Sequence, residues 1–280
     1  MMKEIKIAFI GAGSMAEAMI SGITESRTVK RENIYVTNRS NRERREELVL
    51  KYGIQAMHTE ELPYEEMDAF ILAMKPKDAE KAMKPLKEKI QPEQTILSVL
   101  AGISNQFIEA CLHGGQQVIR VMPNTSSMIG ESATALSPSP NVSMENVWMA
   151  EELMASIGKV FVIKETQMDL FTGIAGSGPA YFYYLMESIE KTAEENGMDP
   201  EMARKAGAQT ILGAAKMMMS REETPAQLRE NVTSPNGTTA AGLEAFKFNG
   251  GGHAIAQAIL SAAERSKEMS EQLEEAILVK

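Results

Sequence analysis

Length, composition and charge set the first limits on this chain. Its 280 residues are 44% hydrophobic and 24% charged, and 29 basic against 38 acidic residues give a net charge of −9. These values predict a globular chain of about two domains and exclude an intrinsically disordered one. The negative balance argues against a general nucleic-acid or anionic-membrane surface, and no apolar run approaches the length that spans a bilayer.

Cysteine and histidine usage argues against disulfide and metal chemistry. Cys111 is the single cysteine and cannot form an internal disulfide, while His58, His113 and His253 lack metal-ligand spacing. This usage is typical of a reducing, cytoplasmic setting, and we expect no metal site.

Short apolar runs alternate with polar, periodic segments over the first part of the chain. The runs predict buried strands at residues 5–10, 33–37, 68–74, 94–99 and 117–121, and the periodic segments predict helices at 41–51 and 77–89. This alternation favours a parallel sheet covered on both faces.

Two later apolar runs, at 132–136 and 159–163, flank a helix that starts near Val142. We expect them to extend the same sheet. The stretch Ser137-Pro138-Ser139-Pro140 between them predicts a loop.

Strand signals stop after about residue 165, and helix ends mark the rest of the chain. Asp199-Pro200 and Thr224-Pro225 each combine an N-cap residue with a proline at the first helical position. Asn196-Gly197 ends the preceding helix. The sequence therefore predicts an α/β domain over residues 1–164 and an all-α domain over residues 165–280.

The predicted helix over residues 200–219 carries small side chains on one face. Small residues let another helix approach closely, either within the chain or from a second subunit. The face consists of Ala203, Ala206, Gly207, Thr210, Ile211, Ala214 and Met218.

A glycine-rich turn follows the first predicted strand and opens a helix. It fits the pattern G-x-G-x-x-A, whose small residues allow a tight turn, a close approach of pyrophosphate, and packing of the helix on the strand. Glycines also occur in plain strand–helix turns, but this context indicates a Rossmann-type, doubly wound dinucleotide-binding domain. The turn comprises Gly11, Ala12, Gly13, Ser14, Met15 and Ala16.

The tip of the second predicted strand bears on which dinucleotide binds. NAD-selective sites place a carboxylate there, whereas this chain has Asn38, Arg39 and Ser40, with Arg42 nearby. These groups suit a 2′-phosphate and favour NADPH, with NADH as a second possibility. The alternative is a solvated charged loop.

Two further loops follow strand ends on the same expected edge of the sheet. In an open α/β sheet, ligands bind outside the carboxyl ends of the strands, so both loops are expected to shape the cofactor site. They are Ala73-Met74-Lys75-Pro76 and Leu100-Ala101-Gly102.

Motifs spread in order along nearly the whole chain resemble those of Δ1-pyrroline-5-carboxylate reductases. The first half contributes the glycine-rich turn, Asn38-Arg39-Ser40, Met74-Lys75-Pro76, Ala101-Gly102-Ile103-Ser104 and residues 118–125. The second half contributes Gly176-Ser177-Gly178-Pro179-Ala180-Tyr181 and, most specific of all, residues 231–239.

The resemblance implies an activity and an assembly. It implies reduction of 1-pyrroline-5-carboxylate to L-proline with NAD(P)H, the last step of proline biosynthesis. It also implies that the all-α domain binds substrate and forms a homodimer, often assembled further into a decamer. Asn124 joins the expected cofactor-binding residues through the same resemblance.

Two positions depart from the family pattern. Asn236 stands where the family usually has glycine, and Glu60 lies where an asparagine often approaches the adenine ribose. Asparagine tolerates a positive φ better than other non-glycine residues, so we expect the turn to survive. Glu60 is expected to weaken or alter cofactor affinity.

The last motif predicts a substrate loop before a helix. A cyclic imine that carries a carboxylate needs an anion site and a hydrogen-bond donor near its ring nitrogen. Ser234, Gly237 and Thr238 offer N–H groups and hydroxyls for the carboxylate, and the resemblance assigns Thr239 to the ring nitrogen as the catalytic residue. The alternative is that Thr238 or Thr239 only caps the helix.

Two other elements are candidates for the same site. Ser177, Gly178 and Pro179 predict a turn before a helix, which is either a plain cap or, by the resemblance, a wall of the active site. Glu222 is a candidate polar neighbour of Thr239, with an exposed helix-end carboxylate as the alternative.

Two competing functions share this scaffold. A β-hydroxyacid dehydrogenase would need Gly-x-x-x-Lys followed by an asparagine, whereas Gly213-Ala214-Ala215-Lys216 is one residue short and Ser220 stands at the asparagine position. A non-catalytic nucleotide sensor would need no imine pocket. Oxidation of NADPH with pyrroline-5-carboxylate separates all three.

Overall fold

The computed structural model describes residues 2–278, and within them eight strands form one sheet in the order β3-β2-β1-β4-β5-β6-β7-β8. All neighbouring strands are parallel except β6 and β7, which are antiparallel. The strands are β1 (Ile7–Ile10), β2 (Ile34–Thr37), β3 (Gln55–Met57), β4 (Ala69–Leu72), β5 (Thr95–Ser98), β6 (Gln117–Met122), β7 (Ser132–Pro138) and β8 (Gly158–Val162).

Helices alternate with the strands as far as β8, and every described element after β8 is helical. The bounds are α1 (Ser14–Ser26), α2 (Arg42–Tyr52), α3 (Ala79–Lys89), α4 (Asn105–Cys111), α5 (Met144–Ala155), α6 (Met168–Phe171), α7 (Gly178–Glu195), α8 (Pro200–Ser220), α9 (Pro225–Asn231), α10 (Thr238–Phe248) and α11 (Gly251–Leu278). No helix in the described part of the chain is long and apolar enough to cross a membrane.

The centre of the sheet is apolar on both faces. Ile7 and Phe9 of β1 belong to one core cluster, while Ala8 and Ile10 belong to the other. Successive side chains of a strand point to opposite faces, so a fully buried strand must be apolar at every position. The apolar runs therefore predicted the central strands correctly, and the doubly wound α/β fold is confirmed.

Three details of the sheet differ from the sequence prediction. The short strand β3 was missed because its three residues, including the exposed Gln55, form no apolar run. Strand β7 extends to Pro138, so Ser137 and Pro138 lie in the strand rather than in the predicted loop. The direction of β7 is reversed because the connection between Met122 and Ser132 is too short for a parallel crossover.

The structure forms two compact units. Among the described residues, one unit comprises 2–177 with 261–278, and the other comprises 178–260.

Helix-end signals were read correctly in the second unit. The Asp199 side chain accepts a hydrogen bond from the Met202 N–H at 3.0 Å, and Thr224 caps α9 in a reciprocal arrangement with Gln227. Gly197 adopts a φ of 81° at the end of α7. Side-chain caps and a left-handed glycine thus delimit these helices as predicted.

The small face of α8 is covered only in part. A Cβ at Gly207 would lie 2.8 Å from Met186 Cε of α7, and Ala203 is buried. An intrachain contact is therefore present at Gly207, as one of the two alternatives predicts, while cover by a second subunit stays a prediction. Of the remaining positions of the face, Ile211 is half-buried and four are exposed: Ala206, Thr210, Ala214 and Met218.

Candidate active site

The glycine-rich turn after β1 lies against the loop after β4. Gly11 has a φ of 117°, and a Cβ there would lie 2.7 Å from the carbonyl carbon of Ala73 and from the Met74 nitrogen. Gly11 N–H donates to the Thr37 carbonyl at 3.1 Å, and Ala73 N–H donates to the Ile10 carbonyl at 3.0 Å. Only glycine fits this position, because both the backbone conformation and the space exclude a side chain.

Helix α1 begins at this turn with no side-chain cap. Gly13 is its N-cap and makes no capping side-chain bond, so the first N–H groups of the helix are available to an anion. Ser14 is exposed and Met15 is half-buried, whereas Ala16 is fully buried where α1 packs on the sheet. Ala12 is also buried. These features fit a bound pyrophosphate.

An ion-pair network that the sequence prediction missed supports the turn from α2. Arg44 Nε donates to the Ala12 carbonyl at 3.1 Å, and its Nη2 donates to Glu17 in the first turn of α1. Glu17 also accepts from Lys51 Nζ at 2.8 Å and from the Tyr52 hydroxyl at 2.9 Å. Hydrogen bonds from Lys51 and then Arg44 lower the pKa of Glu17 to about 2. The positive charges of Arg44 and Lys51 thus balance the negative charge of the ionised Glu17 carboxylate, close to the expected pyrophosphate site.

The backbone at the tip of β2 is held in place by hydrogen bonds. Asn38 Oδ1 accepts from the N–H groups of Ser40 and Asn41 at 3.1 and 2.9 Å, which folds the tip into an Asx turn. Arg45 donates to the Asn38 carbonyl, and His58 Nε2 lies 3.1 Å from the Arg39 carbonyl.

The charged side chains of this tip differ in whether they form ion pairs. Arg42 Nε is paired with Glu46 at 2.7 Å. The Arg39 side chain is exposed, and no described residue forms an ion pair with it. Among these cations Arg39 is therefore the better candidate for a 2′-phosphate. Glu60, in the neighbouring turn of residues 59–61, is exposed and has Oε2 3.9 Å from His58 Nδ1.

The loops after β4 and β5 lie at the same edge of the sheet. Strands β2, β1, β4 and β5 are consecutive neighbours and parallel, so their carboxyl ends meet there. Met74 is half-buried, whereas Lys75 is exposed at the N-cap of the turn that starts at Pro76. Ala101 is exposed and Gly102 turns the chain with a φ of 73°. The structure thus brings together the predicted cofactor loops.

Asn124 is 9% exposed, and both the oxygen and the nitrogen of its side-chain amide form hydrogen bonds with the backbone. Oδ1 accepts from the Ser126 N–H at 3.0 Å, and Nδ2 donates to the Ala175 carbonyl at 3.0 Å. This carbonyl lies four residues before Pro179, which has no N–H to donate to it. Asn124 therefore donates to a carbonyl that Pro179 cannot serve. Its role as a cofactor ligand stays a prediction.

The predicted turn around Ser177 is part of a helical path. Residues 172–176 form a π-helical turn between α6 and α7, and Ser177 N–H donates to the Thr172 carbonyl at 2.8 Å. Ser177 is a bend before α7, so the predicted turn and helix start are confirmed, and the π-turn before this bend was not predicted. Such π-turns occur frequently at functional sites. Gly178 and Pro179 begin α7.

In the second unit, the turn before α10 has the backbone that the motif requires. Asn236 adopts a φ of 56°, and the Gly237 N–H donates to the Ser234 carbonyl at 3.0 Å. Asparagine therefore replaces the usual glycine without loss of the turn, as expected. Gly237 is the N-cap of α10, and the exposed Thr238 and Thr239 are its first two residues. The alternative that either threonine is the N-cap is wrong.

Further polar groups lie beside this turn. Thr233 Oγ1 donates to the Arg229 carbonyl at 2.6 Å. A cavity of about 620 Å³ is lined by Arg229, Thr233, Ala240 and Lys247 among others. Glu222 is exposed in the bend between α8 and α9, and no hydrogen bond in the described structure joins it to Thr239.

A glycine cradle at a helix start, an exposed guanidinium at the tip of β2 and flanking loops at one sheet edge define an NADP-dependent oxidoreductase of the Rossmann type. Residues 6–102 match a family described as NADP oxidoreductase, coenzyme F420-dependent. Residues 165–269 match the pyrroline-5-carboxylate reductase dimerisation family.

Individual relatives agree along nearly the whole chain. Pyrroline-5-carboxylate reductase 1 of Bacillus subtilis is 62% identical over 96% of this chain and 91% of its own. A Coxiella burnetii pyrroline-5-carboxylate reductase structure has a TM-score of 0.89 at 30% identity, covering 95% of this chain and 98% of that one. The Plasmodium falciparum enzyme with NADP bound has a TM-score of 0.85 at 28% identity, covering 96% and 100%. The chain belongs to the pyrroline-5-carboxylate reductase family.

The Glu17 network generates a prediction about acid stability. A carboxyl group whose folded pKa is depressed stabilises the fold above its unfolded pKa and loses that contribution as the pH falls through the folded value. A change from 4.5 to about 2 is worth about 3 kcal/mol. Between about pH 5 and pH 2, the free energy of unfolding of the wild type should fall by about that much more than that of Glu17→Gln.

Urea denaturation at a series of pH values measures this difference. Glu25→Gln, which removes an exposed carboxylate from the same helix, should follow the wild type. Equal slopes for the wild type and Glu17→Gln would show that the network does not hold the carboxylate ionised.

Proposed function

We propose that this chain reduces the C=N bond of 1-pyrroline-5-carboxylate to give L-proline, with NADPH as reductant, as the last step of proline biosynthesis. The observation that carries this proposal is the turn before α10, where Asn236 in the left-handed conformation presents the two exposed threonines at a helix start. Oxidation of NADPH measured with pyrroline-5-carboxylate tests it, and reduction of NADP measured with a 3-hydroxy acid tests the competing β-hydroxyacid dehydrogenase activity.

The cofactor fits the residues of the first unit. The cradle at Gly11 admits no Cβ, and the uncapped start of α1 suits a pyrophosphate. When bound, NADPH supplies the hydride. The chain's own residues orient and desolvate it; in this proposal they are Gly11, Ala12, Gly13, Ser14, Met15, Ala16, Asn38, Arg39, Ser40, Ala73, Met74, Lys75, Pro76, Ala101, Gly102 and Asn124.

Substrate recognition is assigned to the second motif. The N–H groups at the start of α10, with the hydroxyls of Ser234 and Thr238, bind the carboxylate because a helix N-terminus favours an anion. Thr239 donates its hydroxyl hydrogen bond to the ring nitrogen or accepts one from the protonated imine, which orients and polarises the C=N bond. A threonine hydroxyl does not ionise near neutral pH, so the proton comes from the protonated imine or from solvent.

The other proposed substrate neighbours are Ser177, Gly178, Pro179, Gly237 and Glu222. The π-turn that precedes Ser177 supports the first three, since such turns are common at functional sites. Glu222 rests on its place in the sequence alone.

We also propose a homodimer formed through residues 165–280, and a domain boundary after residue 164. Within residues 178–260 only Gly178 and Ala203 are buried, while Tyr184 and Phe248 are 69% and 89% exposed. Large apolar surface of this kind marks an interaction site. The match to the dimerisation family over residues 165–269 supports the same proposal. The family resemblance extends the proposed assembly from dimers to decamers.

We also propose a cytoplasmic setting, which the single, half-buried Cys111 supports because it has no partner within the chain for a disulfide.

Cofactor selectivity is predicted to depend on Arg39. Arg39→Ala should raise KM for NADPH by about ten- to a hundredfold, because a charge-assisted bond to the 2′-phosphate is worth about 1.5–3 kcal/mol. KM for NADH should change little. Arg42→Ala removes a neighbouring cation that is already paired with Glu46 and is the matched control. Equal effects of Arg39→Ala on both cofactors would remove Arg39 from the 2′-phosphate site.

Catalysis is predicted to depend on the Thr239 hydroxyl. Thr239→Ala should lower kcat/KM for pyrroline-5-carboxylate by at least about tenfold, equivalent to about 1.4 kcal/mol of transition-state stabilisation, while the affinity for NADPH stays nearly constant. Thr239→Ser should recover much of the loss, and Thr192→Ala on the exposed surface of α7 is the control. A Thr239→Ala enzyme with wild-type kcat/KM and intact helices would leave Thr239 a structural residue.

Assembly is predicted to depend on the exposed part of the α8 face. Ala214→Arg should dissociate the dimer, because a bulky charge would enter a buried contact. Gly207→Leu should instead lower stability by about 1–3 kcal/mol through overpacking against Met186 in the same chain, with the dimer retained. Light scattering gives the mass of each variant, with Glu88→Arg on α3 as control. A dimeric Ala214→Arg protein at micromolar concentration contradicts the proposed interface.

A further inference from the structure

A buried arginine lies on β6, outside the residues assigned above. Arg120 is 4% exposed and stands in register between Ser98 of β5 and Ser137 of β7. Its Nε and Nη2 have no hydrogen-bond partner among the described residues, and its Nη1 lies 3.5 Å from Glu165 Oε1. A buried guanidinium requires a counter-charge, and Glu165 is the carboxylate in contact with it.

The same carboxylate oxygen bonds to the first residue of α4. Asn105 N–H donates to Glu165 Oε1 at 2.8 Å, and Asn105 Nδ2 donates to the Ser137 carbonyl at 2.9 Å. The first N–H groups of a helix lack partners within the helix, so an acceptor at this point fixes where the helix begins. Two bonds to other parts of the chain therefore hold the start of α4.

This contact joins two segments of the proposed active site. Helix α4 begins directly after the loop that contains Ala101 and Gly102, which is assigned to the cofactor. Glu165 opens the 3₁₀ turn of residues 165–167, which continues into α6 and the π-turn before Ser177. Glu165 is thus the point at which the two segments are bonded to each other.

We propose that Glu165 is a positioning residue for hydride transfer, held by Arg120 and acting through the Asn105 N–H on the loop at Ala101 and Gly102. The proposal rests on the assignment of this loop to the cofactor. It concerns geometry: a misplacement of reacting groups by about 1 Å can cost about a hundredfold in rate. In this proposal the carboxylate acts through Asn105 and not by direct contact with a reactant.

Variants of Glu165 separate the charge from the acceptor. Glu165→Gln keeps an oxygen that can accept from Asn105 N–H but removes the charge opposite Arg120, whereas Glu165→Ala removes both. A cavity of about 730 Å³ is lined by Asn105, Glu109 and Glu165, so water can enter after truncation. Glu109→Gln changes a carboxylate in the same cavity without removing the acceptor and is the matched control.

The experiment measures kcat and the dissociation constant for NADPH, together with hydrogen exchange of peptides covering residues 101–107. Glu165→Ala should lower kcat at least about tenfold with less than about threefold change in NADPH affinity. Glu165→Gln should retain more activity than Glu165→Ala, and exchange at 101–107 should accelerate in step with the loss. Glu109→Gln should match the wild type in all three measurements.

Two results would overturn the inference. One is a wild-type kcat in both Glu165 variants, and the other is a loss of kcat with unchanged exchange at residues 101–107. If Glu165→Ala does not fold, Glu165→Gln decides: lower kcat with faster exchange supports the inference, and wild-type kcat overturns it. A wild-type protein that fails to oxidise NADPH with pyrroline-5-carboxylate would instead overturn the proposed function. The exchange data would still test whether Glu165 holds residues 101–107 in place.

Discussion

The loops after β1, β2, β4 and β5 meet at one edge of the sheet, where the cofactor is proposed to bind. Their arrangement depends on the contact between the turn after β1 and the peptide that joins Ala73 to Met74. At 2.7 Å, the position that a Gly11 Cβ would occupy is already filled by backbone atoms. This close contact lets the loops of two neighbouring strands form one surface. From the other side, Arg44 bonds to the Ala12 carbonyl, so the turn is held between β4 and α2. Steric exclusion and one charge-assisted bond thus fix the place where α1 begins.

Sequence analysis succeeded where a local pattern carries the physical signal. Strands β1 and β4 are buried at every position, so each appears as an uninterrupted apolar run. The Asn236 turn was equally readable, because few residues other than asparagine and glycine adopt a positive φ easily. Strand β3 was lost because a three-residue edge strand needs no apolar run.

Contacts between distant residues could not be read from the sequence. Arg44 and Glu17 belong to different helices, and nothing in either segment specifies their pairing. The antiparallel direction of β7 likewise follows from the length of a connection and the position of its partner strand. Gly207 showed the limit of a compositional argument: a small residue predicts that a helix approaches closely, and only the contact with Met186 identifies which one.

The helical path through residues 168–195 shows how an unusual backbone is maintained. Pro179 has no N–H to donate to the Ala175 carbonyl four residues earlier, and residues 172–176 form a π-turn. Asn124, in the segment after β6, donates a hydrogen bond to this carbonyl. A carbonyl without a donor in this half-buried region would lower the stability of the fold by about 1–3 kcal/mol. The hydrogen bond from Asn124 therefore gives this asparagine a structural role.

The two units differ in where their stability originates. The first contains both core clusters, so a substitution in the sheet acts on the single chain. Residues 178–260 bury only Gly178 and Ala203 while exposing many large apolar side chains, and helices without a buried face gain little from folding alone. In the proposed dimer a second subunit covers these faces, so folding of this unit and association become one equilibrium. The order of the turn at Asn236, and with it the proposed substrate site, then depends on protein concentration as well as on sequence.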